Sequence, residues 1–290
     1  MILRPMLRSS LALGLAFAAT SAWAEHPEAN PNVAEVKPGD TVEVVRLPEQ
    51  IFLRSQNDPD DIIWNRVPLY RTHLLPAPPV HESVKLRFDD GAARGKHLYF
   101  QVARTSERFY VRLRWKDESE DRASTVDGFS DGAAIQFALN GQDTSYMMGT
   151  GPEKPVNIWY WRADLAEVEN LAAGGFGSAT QLPEQDVSGA AAYVEREIAQ
   201  DSEWQVVMSR PLEVEGDYQI SFDGEPVPVS FAVWQGSDHE RDGNKRITHT
   251  WILRPTTSGP RPRSSPAWAS CSCRCRVTSP RSGSSRSPSG

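Results

Sequence analysis

The sequence predicts a mainly β protein, a single antiparallel β-sandwich with a few short helices in its loops. Apolar and charged residues alternate in Val84-Lys85-Leu86-Arg87-Phe88, Leu98-Tyr99-Phe100-Gln101-Val102 and Tyr110-Val111-Arg112-Leu113-Arg114-Trp115, the period-two pattern of half-buried strands with one wet face. Polar turn signals punctuate these runs, among them Asp117-Glu118-Ser119-Glu120-Asp121-Arg122, Asp127-Gly128 and Asp131-Gly132, as in sandwiches. Apart from its two ends the chain is of one character and shows no internal repeat, so residues 25–255 read as one domain.

The N-terminal end carries Arg4 and Arg8, an apolar run from Leu11 to Ala19, and the small-x-small site Ala22-Trp23-Ala24. That is the pattern of a cleaved secretory signal peptide over residues 1–24, and it predicts a periplasmic protein. The apolar run is shorter than a spanning helix requires, and no other stretch approaches that length, so no membrane span is expected. The separated arginines indicate the general export route, with any cofactor inserted outside the cytoplasm.

From the start of the domain, Val42 to Leu47 reads as a short strand, Asp58-Pro59-Asp60-Asp61 as a turn, and Pro76 to Pro79 as a linker or edge. After the three alternating strands comes the apolar run Ala134 to Leu139. Ala163 to Leu171 is predicted as a short helix ended by Gly174, Gly175 and Gly177, and residues 174–192 as a long loop. Strands resume over Trp204 to Arg210 and Val227 to Trp234, with a turn at Asp223-Gly224 between them, and a last strand is expected over Ile247 to Leu253. Residues 256–290 turn abruptly into Ser, Arg and Pro with no acid. Such a segment cannot bury enough apolar surface to fold, which marks it as a disordered or a frame-shifted tail.

Without the two arginines of the signal and the six of the tail, 23 of the 31 basic residues face all 38 acids, a balance of about −15. This excludes nucleic acid and anionic membrane as expected partners, and it fits a basic docking partner. All three cysteines, Cys271, Cys273 and Cys275, lie in the tail, at a spacing unlike that of zinc sites. The domain therefore has neither a disulfide nor a C-x-x-C-H motif, and any haem must be held without thioether bonds. No Gly-x-Ser-x-Gly elbow and no phosphate-binding glycine loop is present, so independent catalysis is not expected. His73, His81, His97, His239 and His249 occupy ordinary strand or loop positions, as does His26 at the mature terminus.

Two stretches carry the functional signal. In the first, Tyr146-Met147-Met148-Gly149 leads through Pro152 and Pro155 into Val156-Asn157-Ile158-Trp159-Tyr160-Trp161. On spacing alone its thioethers read as core packing ahead of ligation of a soft metal centre, and a second stretch reverses that order. In the second, the run ending at Trp234 enters the polar loop Glu240-Arg241-Asp242-Gly243-Asn244-Lys245 and leaves it directly into a strand. Together these stretches resemble the γ subunits of the periplasmic type II dimethyl sulfoxide reductase family, which serve dimethyl sulfide dehydrogenase, ethylbenzene dehydrogenase, selenate reductase and chlorate reductase. The resemblance covers roughly Val84 to Pro255.

That resemblance implies a non-covalent haem b in a β-sandwich with Met and Lys as axial ligands. On this sequence the lysine is Lys245 and the methionine is Met148, with its neighbour Met147 as the alternative; Gly149 would let the backbone approach the macrocycle. It further implies a non-catalytic electron-transfer subunit, a b-type cytochrome. The family places it with a molybdenum-containing α subunit and an iron–sulfur β subunit, exchanging electrons with a soluble c-type cytochrome or similar carrier. The substrate pocket would lie in another chain; the dimethyl sulfide dehydrogenase type is placed first among the members. The rival reading is a haem-free carbohydrate- or ligand-binding sandwich module, in which tryptophans such as Trp64, Trp115, Trp159, Trp161, Trp204 and Trp234 form aromatic platforms.

Overall fold

The computed structural model describes residues 33–48, 55, 57–85, 95–126, 128–139, 143–222 and 227–248. The signal peptide, the tail with its cysteines, His26, His249, the turn residues Asp127, Asp223 and Gly224, and most of the strand expected over Ile247 to Leu253 lie outside them. Thirteen strands follow in chain order: β1 Val33–Glu35, β2 Val45–Arg46, β3 Leu69–Pro76, β4 Lys96–Arg104, β5 Arg108–Lys116, β6 Gly132–Ala138, β7 Val156–Arg162, β8 Glu169–Ala173, β9 Thr180–Gln181, β10 Ser188–Val194, β11 Glu203–Pro211, β12 Val229–Trp234 and β13 Arg246–Ile247. No described helix is longer than the five-residue 3-10 turn Ile62–Arg66. The expectation of a mainly β, antiparallel sandwich with short helical turns holds.

Eleven of these strands form one path, β10-β11-β5-β4-β3-β13-β12-β6-β7-β8-β9, while β1 pairs in parallel with β3 and β2 with β4. β3 is the crease. Its middle pairs with β4, as in Tyr70 opposite Phe100, while its last residues Leu75 and Pro76 pair with Ile247 and Arg246 of β13. The path thus folds into two layers, and their inner side chains meet: Phe100 lies 4.9 Å from Phe231, Trp115 6.1 Å from Trp161, and Phe109 6.2 Å from Trp159. Burial of these rings is the dominant stabilising term, at roughly 25 cal/mol per Å² of apolar area.

In the first layer, alternation reads as the sequence predicts. Phe109, Val111, Leu113 and Trp115 of β5 join the inner core, and Arg114 and Lys116 on the other face bond Glu203 and Asp201. The outer face is not wholly wet, because the turn Ile62–Arg66 lays Ile63 and Trp64 against Ala103, Tyr110 and Val207. Arg112 is trapped beneath it, donating to Gln101 Oε1 at 2.8 Å and Gln205 Oε1 at 2.7 Å. Burial pushes its guanidinium down to about 10.

The second layer is apolar on both faces. Ala133, Ile135 and Phe137 of β6, with Phe231 and Val233 of β12, face the inner core. Ala134, Ala232, Trp234, Ile158 and Ile247 form a separate cluster on the opposite side. β6 and β12 are accordingly buried at every position, as strands covered on both faces must be.

Several local expectations are corrected. Residues 163–171 are not a helix: after a turn they enter β8, where Asn170 sits opposite Trp159 and Leu171 opposite Ile158. Sheet pairing overrides the weak helical preference of this stretch. Within the predicted loop, β9 and the alanine-rich β10 pair with β8 and β11; small side chains there conceal the strand period. Glu82–Lys85 forms one helical turn instead of the start of a strand, with residues 86–88 outside the described set. The crease strand β3 escapes the sequence reading altogether, and of Val42 to Leu47 only Val45 and Arg46 form a strand.

Two carboxyls share the interior. Asp131 accepts from the Asp121 and Gly236 amides, both at 2.8 Å, and from Trp204 Nε1 at 2.9 Å. Asp117 accepts from the Ser119 amide at 3.3 Å, and among the described residues its buried Oδ2 has no partner within hydrogen-bond geometry. Burial pushes the Asp131 carboxyl up as well, and the Gly236, Asp121 and Trp204 donors oppose that rise. Burial first, and then the Asp131 charge, push the Asp117 carboxyl up to about 8. The folded chain holds a proton that the unfolded chain releases near pH 4, so stability falls as pH rises from about 4 to about 8 and is level above. Asp117→Asn is expected to reduce that slope by up to about 1.4 kcal/mol per pH unit, measured by denaturant unfolding from pH 5 to pH 9. Identical slopes in the two proteins would contradict the assignment.

Candidate functional site

The apolar outer face of the second layer is the floor of a cavity of about 510 Å³, a volume typical of buried small-molecule and cofactor sites. Ala134, Ile158 and Ala232 supply the floor, and Tyr160 and Trp234 form one wall, with ring centroids 4.9 Å apart. Met147 and Met148 enter from the turn before β7, and Lys245 enters from the loop between β12 and β13. The sequence-predicted residues, nearly a hundred positions apart in the chain, thus converge on one cavity.

Tyr146 to Met148 form a turn rather than a strand. The alternation of an extended chain does not separate the two methionines, and both line the cavity. Met148 holds a left-handed φ of +66° and Gly149 follows at +90°, a conformation that a non-glycine residue keeps only when its surroundings hold it. The holding groups are visible. The Met148 amide donates to Gln136 Oε1 at 3.1 Å, the Met148 carbonyl accepts from the Gly175 amide at 2.7 Å, and the Gly149 amide closes the turn on the Ser145 carbonyl at 3.0 Å.

Gly149 serves this turn and does not line the cavity. A Cβ there would lie 3.0 Å from both the Ala173 and the Lys154 carbonyl oxygens. The reason for glycine is close contact with the protein's own backbone, in place of the close approach to a macrocycle expected from the sequence.

Lys245 is fixed through its neighbours. The loop before it closes as a tight turn, with the Asn244 amide on the Arg241 carbonyl at 2.9 Å and Asp242 at a φ of +54°. Glu240, 4% exposed, accepts from the Gln235 amide at 3.0 Å and from Arg246 Nε at 2.6 Å. This buried ion pair staples the two ends of the loop together. Ala77 donates to the Lys245 carbonyl at 2.8 Å, and Trp234 Nε1 donates to the Asp242 carbonyl at 3.0 Å. The Lys245 amine itself makes no ion pair among the described residues and lies 4.7 Å from the Trp234 ring centroid. Burial pushes it down to about 8, opposed by the Asp242 carboxylate.

The nitrogen and sulfur side-chain donors lining the cavity are two thioethers, the His81 imidazole and one amine that burial drives toward its neutral form, within a mostly apolar shell. That set fits a soft or borderline metal centre in a flat apolar ligand, as haem presents. No group of three or more His, Cys, Asp or Glu able to hold a bare metal ion occurs among the described residues. All six tryptophans named as platform candidates are buried, none more than 7% exposed, and they pack within the cores. Gln136 and the Glu240–Arg246 pair were not singled out in the sequence; Glu240 six residues before Arg246 was the only available signal.

Fold and site together define a β-sandwich with a partly covered, apolar cavity on its outer face, lined by two thioethers and a buried amine. Residues 61–197 match the ethylbenzene dehydrogenase family. The chain is 52% identical over 226 residues to the dimethylsulfide dehydrogenase subunit gamma of Rhodovulum sulfidophilum, covering 78% of this chain and 85% of that one. It is 35% identical over 195 residues to the chlorate reductase subunit gamma of Ideonella dechloratans, covering 67% and 77%. It is also 35% identical over 233 residues to a protein provisionally named a respiratory nitrate reductase heme subunit in Haloferax mediterranei, covering 79% and 78%. The chain belongs to the γ-subunit family of the type II dimethyl sulfoxide reductases.

The turn geometry sets a test. Gly149→Ala combines a disfavoured φ with two carbonyl contacts, and it is expected to cost about 1–3 kcal/mol. Thermal unfolding of the haem-free chain measures it; an unchanged midpoint would show that the turn relaxes freely.

Proposed function

We propose that this chain is a periplasmic b-type cytochrome subunit that relays electrons between a molybdenum and iron–sulfur oxidoreductase and a soluble carrier. One observation carries the reading: Met147, Met148 and Lys245 meet in one apolar cavity, in a member of a γ-subunit family one of whose relatives is named a heme subunit. When bound, haem b would supply one-electron transfer, held by Lys245 and one of the two methionines.

The chain's residues have distinct parts in this. Lys245 would ligate through its Nζ once deprotonated, and burial already lowers the cost of the neutral form. Met148 would hold the iron through its thioether sulfur, with Met147 as the alternative. Both ligands are neutral, and the apolar floor of Ala134, Ile158 and Ala232 excludes water; these conditions favour the ferrous state and a relatively high potential. Non-covalent attachment follows from the cysteines, all of which lie in a C-x-C-x-C run at residues 271–275. Export would proceed through the signal at residues 1–24.

The partners in this reading are a molybdenum-containing α subunit, an iron–sulfur β subunit, and a c-type cytochrome or similar soluble carrier. The acidic balance of the domain complements a basic carrier. No helix among the described residues is long and apolar enough to cross a membrane.

Ligand variants test the assignment through haem content and the visible spectrum. Met148→Ala is expected to open a coordination position, moving the ferric spectrum toward high spin and lowering the potential. Met147→Ala should act as a packing loss of about 2 kcal/mol or less, the lower end for a buried methionine. Lys245→Arg keeps a charge that cannot deprotonate and should do the same damage as Lys245→Ala. Lys154→Ala, at an exposed turn residue, should change nothing. Unaltered low-spin spectra in both Lys245 variants would remove Lys245 from the site.

A further inference from the structure

We propose that Gln136 is the positioning residue of the methionine ligand: its side-chain amide clamps the Tyr146–Met148 turn to the cavity floor and thereby sets how firmly the Met148 thioether is presented to the iron. The proposal rests on the reading that this cavity holds haem.

Gln136 lies on β6 between Ile135 and Phe137, whose side chains face the inner core, so its own side chain emerges on the cavity face. It is 7% exposed, the one polar residue in the middle of a strand otherwise made of Gly, Ala, Ile and Phe. A buried amide in such a place must be satisfied at both ends. Its Oε1 accepts from the Met148 amide at 3.1 Å, and its Nε2 donates to the Tyr146 carbonyl at 2.9 Å and reaches the Ser145 carbonyl at 3.5 Å. One side chain therefore grips the turn on either side of Met147, from a strand ten to twelve positions away.

The two methionines are held differently. The Met147 amide is satisfied within the turn, by Ser145 Oγ at 3.1 Å. Met148 is held from outside it, its amide by Gln136 of β6 and its carbonyl by Gly175 beyond β8. This tie to the sheet falls on the residue with the left-handed φ of +66°, the conformation most in need of external support. The carboxamide supplies the acceptor and the donor from two separate atoms: leucine or alanine loses both, and ionised glutamate keeps only the acceptor.

A neutral thioether binds iron weakly, so its occupancy depends on being held in place beforehand. Groups that orient a metal ligand in this manner typically change its affinity by 10–100-fold. Because methionine favours ferrous over ferric iron, loosening the turn lowers the potential; a tenfold loss of that preference is a fall of about 59 mV.

The test has two independent readouts. In the haem-free chain, amide hydrogen exchange should be at least tenfold faster at Met148 in Gln136→Leu, with Gln136→Glu keeping the protection through its remaining acceptor. In the haem-loaded protein, Gln136→Leu should lower the midpoint potential by about 59 mV for a tenfold effect and admit carbon monoxide to ferrous iron. Ser145→Ala, which frees only the Met147 amide, should leave the midpoint unchanged. Gln136→Ala replaces Gln136→Leu if the leucine variant does not fold. A wild-type chain that takes up no haem overturns the cavity reading and this proposal with it. A haem-loaded protein whose midpoint is untouched by loss of the amide overturns this proposal alone, whether or not Met148 exchange accelerates, because the clamp would then serve only the fold.

Discussion

The second layer of the sandwich is apolar on both faces, and the rest of the structure follows from that constraint. Its inner face is covered by the first layer through rings such as Phe231 and Trp159. Its outer face carries Ala134, Ile158, Ala232 and Ile247, an area too large to leave in water without cost. Loops cover it only partly: the methionine turn on one side, the Lys245 loop on the other, and Phe176 between them. A flat apolar cofactor is the natural completion of such a face. The small residues Ala134 and Ala232 keep the floor low enough to admit one.

The two loops that bring Met148 and Lys245 to the cavity use different physics. The Lys245 loop is closed by charge, through the Glu240–Arg246 pair, whose side chains are only 4% and 5% exposed. Burial pushes the Glu240 carboxyl up, while Lys96 and Arg246 hold it down, so the pair is well opposed and specifies one loop conformation. The methionine turn is closed by neutral hydrogen bonds from Gln136 and Gly175. The Lys245 amine lies 4.7 Å from the Trp234 ring centroid, and burial draws it toward the neutral form against the pull of the Asp242 carboxylate.

What the sequence made legible follows from how local each signal is. Strands β4, β5, β11 and β12 carry their period in their own side chains, and all four were readable. β3 was not, because Leu69–Pro76 mixes polar and apolar residues without strict alternation and owes its place to both layers at once. β8 read as helix because its pairing to β7 is not encoded in its own composition. Met148 and Lys245 stood out in the two stretches that carry the family resemblance, and the structure brings both to one cavity. Gln136, which reaches the turn from twelve residues away, was not, since nothing in a strand of this kind marks one amide as a clamp.

The central claim is that one cavity holds haem between a thioether and a neutral amine. Near-infrared magnetic circular dichroism of the ferric protein, purified with its native cofactor, tests this most directly, because the energy of the ligand-to-metal band reports the axial pair. The account predicts a single low-spin species with the signature of methionine and amine ligation. A bis-histidine or high-spin signature, or a protein without haem absorbance from haem-replete cells, would contradict it.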